Sequence, residues 1–330
     1  MMKGRVLITG ASGAIGSKLL CHLTEHNYQV RAFVRDPTSA KRLPKCVDVI
    51  QGDITDERAL RVAVTNVDYV FHLAAKLHIN KPAPALRDEY EQINVEGTRR
   101  LVEVAHDSAV KKLVFFSTIN VYGASERNEV FDESSPLRLD PLYAETKVRG
   151  EEIVMTQMPT RSVVLRLAAV YGKGMKGNYP RLLNALRRGR FAMIGDGSNR
   201  RTLVYINDVC AASLLAAQQE AATGQIYNVT DGSIHTLREI INSMSAALGR
   251  RPPPLSLPRR PVRLLAGMIE DVLGVFGKGS PVGRATIDKF VEDVAVSGDR
   301  AQRELGFRPQ WDLTRSWRET VGEMSDERFV

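Results

Sequence analysis

Short apolar runs alternate with amphipathic stretches through the first half of the chain. Arg5–Thr9 (RVLIT) reads as a buried strand, residues 15–26 as a helix, and Gln29–Val34 (QVRAFV) and 47–51 as two further strands. Residues 57–65 then give a helix, 69–74 (YVFHLA) a fourth strand, and 89–107 one long helix. A fifth strand at 112–117 (KLVFFS), a helix at 141–157 and a sixth strand at Ser162–Leu167 (SVVLRL) complete the series. Alternation of this kind predicts βαβ units and a parallel sheet covered by helices on both faces.

The rhythm changes near Gly172, where Gly172, Gly174 and Gly177 lie among basic residues. A helix is expected at 179–188, short strands at 202–206 and 226–229, and helices at 208–219 and 237–248. Residues 250–261 are rich in proline and arginine and read as a linker. The expected architecture is α/β: a doubly wound parallel sheet over residues 1–170, with segments of 195–230 returning to it, and a smaller α/β lobe over 171–330. The stretch 262–276 (VRLLAGMIEDVLGVF) is very apolar for a surface helix. Its plain reading is a packing or dimer helix. The sharper reading is a helix resting on a membrane surface or a partner enzyme, helped by Arg259, Arg260 and Arg263.

Composition narrows the class. The chain has 330 residues, 43% hydrophobic and 25% charged, which excludes a disordered or fibrous protein. It carries 46 basic and 38 acidic residues, net +8, compatible with a phosphorylated small molecule, nucleic acid or an anionic membrane. Cys21, Cys46 and Cys210 have no paired spacing, so a reducing, cytoplasmic compartment is expected. No Cys/His cluster has zinc spacing, and no metal is expected. The N-terminal apolar run is too short for a signal peptide, and no stretch is long enough to span a bilayer.

Gly10-Ala11-Ser12-Gly13-Ala14-Ile15-Gly16 follows the first strand and opens the first helix. Glycines there let the backbone turn tightly and approach a pyrophosphate, and the helix N-terminus offers unpaired N–H groups. The second strand ends Phe33-Val34-Arg35-Asp36. Val34 stands where an NAD enzyme places an acid for the ribose 2′-hydroxyl, and Arg35 can meet a 2′-phosphate, with Lys41 and Arg42 as helpers. NADP is therefore slightly favoured. Asp36 keeps NAD open, because an offset of one residue restores the acid. Asp53, in Gly52-Asp53-Ile54, would lie near the adenine amino group.

Tyr143 and Lys147 stand four residues apart on a helix, so phenol and ammonium share one face. A neighbouring cation is expected to draw the phenol from about 10 towards neutrality, making a general acid/base for a secondary alcohol. Ser117-Thr118 ends the fifth strand at the carboxyl edge of the sheet, where a hydroxyl can hold the substrate oxygen.

Taken with these motifs, the chain resembles the extended short-chain dehydrogenases/reductases of the nucleotide-sugar epimerase/dehydratase type, which have a Rossmann-type fold. The resemblance rests also on His72-Leu73-Ala74-Ala75, Asn94-Val95-Glu96-Gly97-Thr98 and Ser117-Thr118-Ile119-Asn120-Val121-Tyr122-Gly123. It implies that Thr118, Tyr143 and Lys147 are the catalytic triad, and that Lys147 also holds the nicotinamide ribose. It implies that Ile54, Leu73, Ala74 and Ala75 line the cofactor and that Asn94 braces the site. By the same resemblance Val170-Tyr171-Gly172 is the family's segment after the sixth strand, although Leu167 and Lys173 replace usual prolines. Asn178 would open a substrate-binding helix, Arg201 in Gly195-Asp196-Gly197-Ser198-Asn199-Arg200-Arg201 would clamp a nucleotide-sugar diphosphate, and Arg284 would reach the nucleotide phosphate. Relatives pair the helices at 89–107 and 141–157 across a two-fold axis, which implies a homodimer.

The leading expectation is a nucleotide-sugar 4-epimerase that oxidises C4 transiently. The alternatives are an NADPH-dependent 4-keto nucleotide-sugar reductase and a steroid- or flavonoid-type alcohol dehydrogenase. Ile119 stands where a dehydratase of this type places an acid, which argues against that activity. Nucleic acid is not an expected partner.

Overall fold

The structure, a computed structural model, describes residues 3–77, 86–126, 128–139, 141–175, 177–275 and 283–326. In chain order the first part comprises β1 (Arg5–Thr9), α1 (Ala14–Glu25), β2 (Gln29–Val34), α2 (Pro37–Ala40), β3 (Asp48–Gln51), α3 (Glu57–Val64), β4 (Tyr69–His72), α4 (Arg87–Tyr90), α5 (Gly97–His106), β5 (Lys112–Thr118), α6 (Leu142–Gln157) and β6 (Ser162–Leu167). The second part comprises β7 (Ala169–Tyr171), α7 (Asn178–Arg187), β8 (Met193–Ile194), β9 (Arg200–Tyr205), α8 (Ile206–Gln218), β10 (Gln225–Val229), β11 (Ile234–Thr236), α9 (Leu237–Ala247), β12 (Ser256–Leu257), α10 (Arg259–Val275), α11 (Arg284–Val291), α12 (Asp299–Leu305) and α13 (Leu313–Asp326).

Seven strands form one parallel sheet in the order β10-β6-β5-β4-β1-β2-β3. This is the Rossmann arrangement, with the strand order reversing between β1 and β4. Successive residues of one strand feed opposite faces. Val6 and Ile8, Val114 and Phe116, and Val163 and Leu165 enter one apolar cluster. Leu7, Leu113, Phe115 and Val164 enter another. Both faces are thus buried, which is why the strands read as unbroken apolar runs rather than alternations. A third cluster, with Tyr171, Leu183, Leu203, Tyr205, Ile240 and Trp317, sits among α7, α9, α13 and the small sheet β11-β9-β7.

Three expectations are corrected. The fourth strand stops at His72 rather than residue 74. The long helix at 89–107 is broken into α4, a π-helical turn at Glu91–Glu96, and α5. The linker at 250–261 contains β12, which pairs in parallel with β8, and the start of α10. The apolar side chains of α5 and α6 pack inward. Leu101, Val104, Ile153 and Val154 are all buried in this chain's own core. The stretch 262–276 is helical to Val275; Phe276 lies outside the described residues.

Candidate active site

The first turn of the sheet is built for close backbone approach. Gly10 has φ +72°, and a Cβ there would lie 2.8 Å from the Ala74 nitrogen. A Cβ at Gly16 would come within 2.2 Å of the Gly10 carbonyl. Both positions therefore require glycine. Gly13 is the N-cap of α1 and supplies no side-chain cap, so the N–H groups of Ala14 and Ile15 stay available to an anion, while the Gly13 N–H closes the turn on the Gly10 carbonyl at 3.0 Å. This cradle, closed by Leu73 and Ala74 at the end of the neighbouring strand, fits a dinucleotide pyrophosphate. Ala75 follows, partly exposed, beside it.

At the end of β2, Val34 is buried and Arg35 is exposed. Asp36 caps α2. Its carboxylate accepts from the Thr38 N–H at 2.9 Å, the Thr38 hydroxyl at 2.5 Å and the Ser39 hydroxyl at 3.0 Å. Those bonds, the Thr38 hydroxyl foremost, draw it down to about 2. Asp53 accepts from the Thr55 N–H and hydroxyl at 2.9 and 2.7 Å. Partial burial raises it, but the Thr55 bonds and the Arg35 charge outweigh that and hold it below the usual range. The guanidinium of Arg35 thus acts on the carboxylate of Asp53. Ile54 is buried behind Asp53 and packs against Gly97.

Below the cradle runs a buried chain of hydroxyls and one imidazole. Thr9 Oγ1 lies 2.7 Å from His72 Nδ1, and His72 Nε2 lies 2.9 Å from Thr98 Oγ1. Burial, and secondly the Lys147 charge, push His72 down to about 3, so it is a neutral hydrogen-bonding link. Asn94, on the π-helical turn, accepts from the Lys76 N–H at 2.7 Å and donates to Thr146 at 3.0 Å. It braces the segment after β4 against α6, the role the resemblance implied.

Thr118 ends β5, and its hydroxyl accepts from the Asn120 N–H at 3.2 Å to cap the short helical turn Ile119–Tyr122. Tyr143 and Lys147 lie on α6, which packs directly on β5: a Cβ at Gly150 would meet Phe115 at 2.7 Å. Lys147 is buried, with Nζ 4.0 Å from the centre of the Phe115 ring. Burial lowers its ammonium to about 7, against an upward pull from Glu151. Tyr143 is partly exposed, and desolvation with the nearby Tyr90 pushes its phenol up to about 12. The expected shift of the phenol towards neutrality is therefore reversed here, because burial and the neighbouring Tyr90 both disfavour the phenolate.

Two residues of consequence escaped the sequence reading. Glu151 and Arg166 form a buried bidentate pair, with Arg166 Nη2 2.6 Å and Nε 3.0 Å from the carboxylate. Ser117 donates its hydroxyl to the same carboxylate. Arg166 also donates to Tyr122 at 2.8 Å, and Tyr122 to Asn228 on β10 at 2.9 Å. The signal was present: Glu151 is four residues after Lys147, so it continues the Tyr143 face of the helix.

The proposed substrate residues are less gathered. Asn178 is exposed at the start of α7. Arg201, on β9, is largely buried and donates to the Lys289 and Phe290 carbonyls at 2.7 and 3.2 Å, with Glu292 3.8 Å away. Its charge reaches Tyr179, next to Asn178. Arg284 pairs with Asp271 at 2.8 and 2.5 Å and fastens α11 to α10. A groove of about 810 Å³ is lined by residues 194–200, Ser125, Arg259, Asp288, Glu292 and Asp293; Thr118, Tyr143 and Lys147 do not line it. Among the described residues no His/Cys/Asp/Glu group could hold a metal ion, and no helix is long and apolar enough to cross a membrane.

Comparison with known proteins gives this geometry a lineage. The chain is 28% identical, over 93% of its length and 86% of the relative, to a 3 beta-hydroxysteroid dehydrogenase/Delta 5-->4-isomerase of Mycobacterium tuberculosis. It is 28% identical, over 88% of its length and 86% of the relative, to the N-acetyl-alpha-D-glucosaminyl-diphospho-ditrans,octacis-undecaprenol 4-epimerase of Escherichia coli O157:H7. Among solved structures, MoeE5 in complex with UDP-glucose and NAD superposes with a TM-score of 0.77 at 26% identity, covering 99% of this chain and 100% of that one. The relatives are NAD(P)-dependent oxidoreductases and epimerases of the extended short-chain dehydrogenase/reductase type, and this chain is an enzyme of that type. Residues 6–230 match the model of the NAD dependent epimerase/dehydratase family, and with the glycine cradle and the Tyr143–Lys147 pair at the sheet edge, the chain belongs to that family.

Proposed function

We propose that the chain is a 4-epimerase of a diphosphate-linked hexose, a nucleotide sugar in the first instance. The observation that carries this reading is the placement of Tyr143 and Lys147 on one face of α6, packed on the strand that ends in Thr118, one strand from the cradle's closing residues. A dinucleotide held by the Gly10–Gly16 cradle would supply the acceptor for the C4 hydride and, on return, its donor. Thr118 holds the C4 oxygen by its hydroxyl. Tyr143 as phenolate would take the hydroxyl proton in the forward step and return it from the phenol in the reverse step. Lys147 as ammonium stabilises the phenolate, and its value near 7 places that charge under the control of neutral pH.

The same reading assigns residues 1–170, with β10, to dinucleotide binding and residues 171–330 chiefly to substrate. Its cofactor is NADP(H), because Arg35 is exposed while Asp36 is committed to Thr38 and Ser39. Exposed free thiols at Cys21 and Cys46 fit a reducing, cytoplasmic setting. A homodimer through α5 and α6 would meet through polar side chains, since Glu103 and Glu152 face outward.

A specific observation supports a second reading, oxidation or reduction of an apolar alcohol or ketone. Arg201, the candidate diphosphate clamp, already holds two carbonyls and lies beside Glu292. The experiment is to supply UDP-hexoses deuterated at C4 and follow them by NMR. Inversion at C4 with deuterium retained and no net cofactor turnover supports the epimerase. Inert UDP-hexoses, with cofactor-dependent turnover of a hydroxysteroid or long-chain ketone, replace it with the second reading.

A further inference from the structure

Helix α10 is turned inside out. A surface helix ordinarily buries its apolar stripe and shows its charges to water. Here the charged side packs inward on α11: Arg263 and Arg259 pair with Asp288 at 2.7 and 3.4 Å, and Glu270 accepts the Arg284 N–H at 3.0 Å. Ala266 and Gly267 lie on that side too, Ala266 buried and Gly267 against the Arg284 guanidinium. The other side carries Leu264, Leu265, Met268 and Ile269, exposed by 66, 56, 57 and 46%. These four fall at i, i+1, i+4 and i+5, a single face of the helix. Leu255, just before β12, is exposed as well.

The charge around this face has one sign. Arg260 stands one turn before Leu264 and has no carboxylate partner among the described residues, while Asp271 is neutralised by Arg284. Arg250 and Arg251, exposed in the segment leading into β12 and α10, are likewise without one. The whole chain carries +8. A second copy would bring the same positive rim and the same net charge, whereas an anionic lipid surface complements both.

We propose that α10 is a membrane-interface helix, which lays Leu264, Leu265, Met268 and Ile269 among the acyl chains of an anionic bilayer with Arg260 at the headgroups. The enzyme is then peripheral and reversibly bound, since one such helix face gives a partition rather than an anchor. The proposal stands with either substrate reading above and does not depend on turnover.

The test is sedimentation of the full-length protein with vesicles of phosphatidylcholine alone and of phosphatidylcholine mixed with phosphatidylglycerol. Binding to the anionic vesicles is expected, weakened by added salt. Leu265→Ser/Met268→Ser should weaken it roughly tenfold or more through lost apolar burial. Arg260→Gln should weaken it about fivefold. Circular dichroism and cofactor binding of each variant check that the fold is kept, and Arg260→Gln serves alone if the double variant does not fold. No sedimentation with anionic vesicles, or equal sedimentation of wild type and a folded variant, overturns the proposal. So does a vesicle-free, concentration-dependent dimer that Leu265→Ser/Met268→Ser abolishes, which would give the face to a second copy.

Discussion

The Glu151 carboxylate accepts a hydrogen bond from the hydroxyl of Ser117, the residue immediately before Thr118. One carboxylate therefore ties the helix that carries Tyr143 and Lys147 to the strand end that carries Thr118. Arg166 neutralises it from β6, and the pair is buried on both sides. Removing one partner of such a pair leaves an uncompensated charge, which typically costs about 3–5 kcal/mol. Glu151→Ala is therefore expected to lose about that much stability in urea unfolding. Glu151→Met with Arg166→Met should recover most of the loss, because it removes both charges. Stability of the single variant equal to wild type would show that the pair is not the clasp described here.

Glu151 also raises the Lys147 ammonium, against the burial that lowers it. In Glu151→Gln that support is gone, and Lys147 should lose its proton at a lower pH than in wild type. The high-pH limb of kcat/KM is expected to move to lower pH, while KM changes little. An unmoved limb would mean that Glu151 acts on structure alone.

Tyr143→Phe removes the phenol hydroxyl from the α6 face while keeping the ring. General acid–base groups typically contribute about 10²–10⁴-fold to rate, so turnover should fall in that range. Cofactor titration should be nearly unchanged, since the glycine cradle lies on β1 and α1. Near-normal turnover by this variant would remove Tyr143 from the chemistry.

The sheet was legible because its strands are buried on both faces and bounded by glycine and polar turns, as at Arg5–Thr9 before Gly10. The Tyr143–Lys147 face was legible from helical spacing alone. What was not legible depends on contacts distant in sequence. The break at Glu91–Glu96 keeps the apolar periodicity of a helix, so residues 89–107 read as one element; the extra residue in the turn shows only in the hydrogen bonds. The pairing of β12 with β8 joins segments more than sixty residues apart, and each strand has only two residues. The direction of the Tyr143 shift was misjudged because the reading weighed the neighbouring charge without the burial. The engagement of Arg201 by the end of α11 involves backbone carbonyls, which no residue type announces.

His235 and Asp231 lie 2.7 Å apart and are largely buried. Desolvation lowers the imidazole, but the Asp231 hydrogen bond and charge outweigh it and raise it above 6.5. A raised folded value means that the imidazolium stabilises the fold. That contribution is fully present below the unfolded value and is lost as pH rises through the folded one. His235→Gln should therefore cost more stability at about pH 5.5 than at about pH 9. A cost independent of pH, measured by urea unfolding at both values, would mean that the pair contributes through packing and not through charge.

The last expectation concerns which dinucleotide the cradle takes. A pyrophosphate held at Gly10, Gly13 and Gly16 would be common to NAD and NADP, so discrimination falls to the end of β2. Val34 is buried and has no hydrogen-bonding atom for a ribose hydroxyl. Asp36 could serve one, but its carboxylate holds Thr38 and Ser39 and starts α2, so turning it to a ribose would uncap that helix. Arg35 is exposed and close enough to Asp53 to lower it. A charge-assisted bond contributes about 1.5–3 kcal/mol, roughly a tenfold to hundredfold preference for the 2′-phosphate. Wild type should bind NADP(H) more tightly than NAD(H) by that factor, and Arg35→Ala should abolish the difference while leaving NAD(H) affinity nearly intact. Asp36→Ala separates the alternatives: it should lower stability slightly through the lost cap without weakening NAD(H). If wild type binds NAD(H) as tightly as NADP(H), and Asp36→Ala weakens NAD(H) selectively, the ribose belongs to Asp36 and the guanidinium of Arg35 acts only on Asp53.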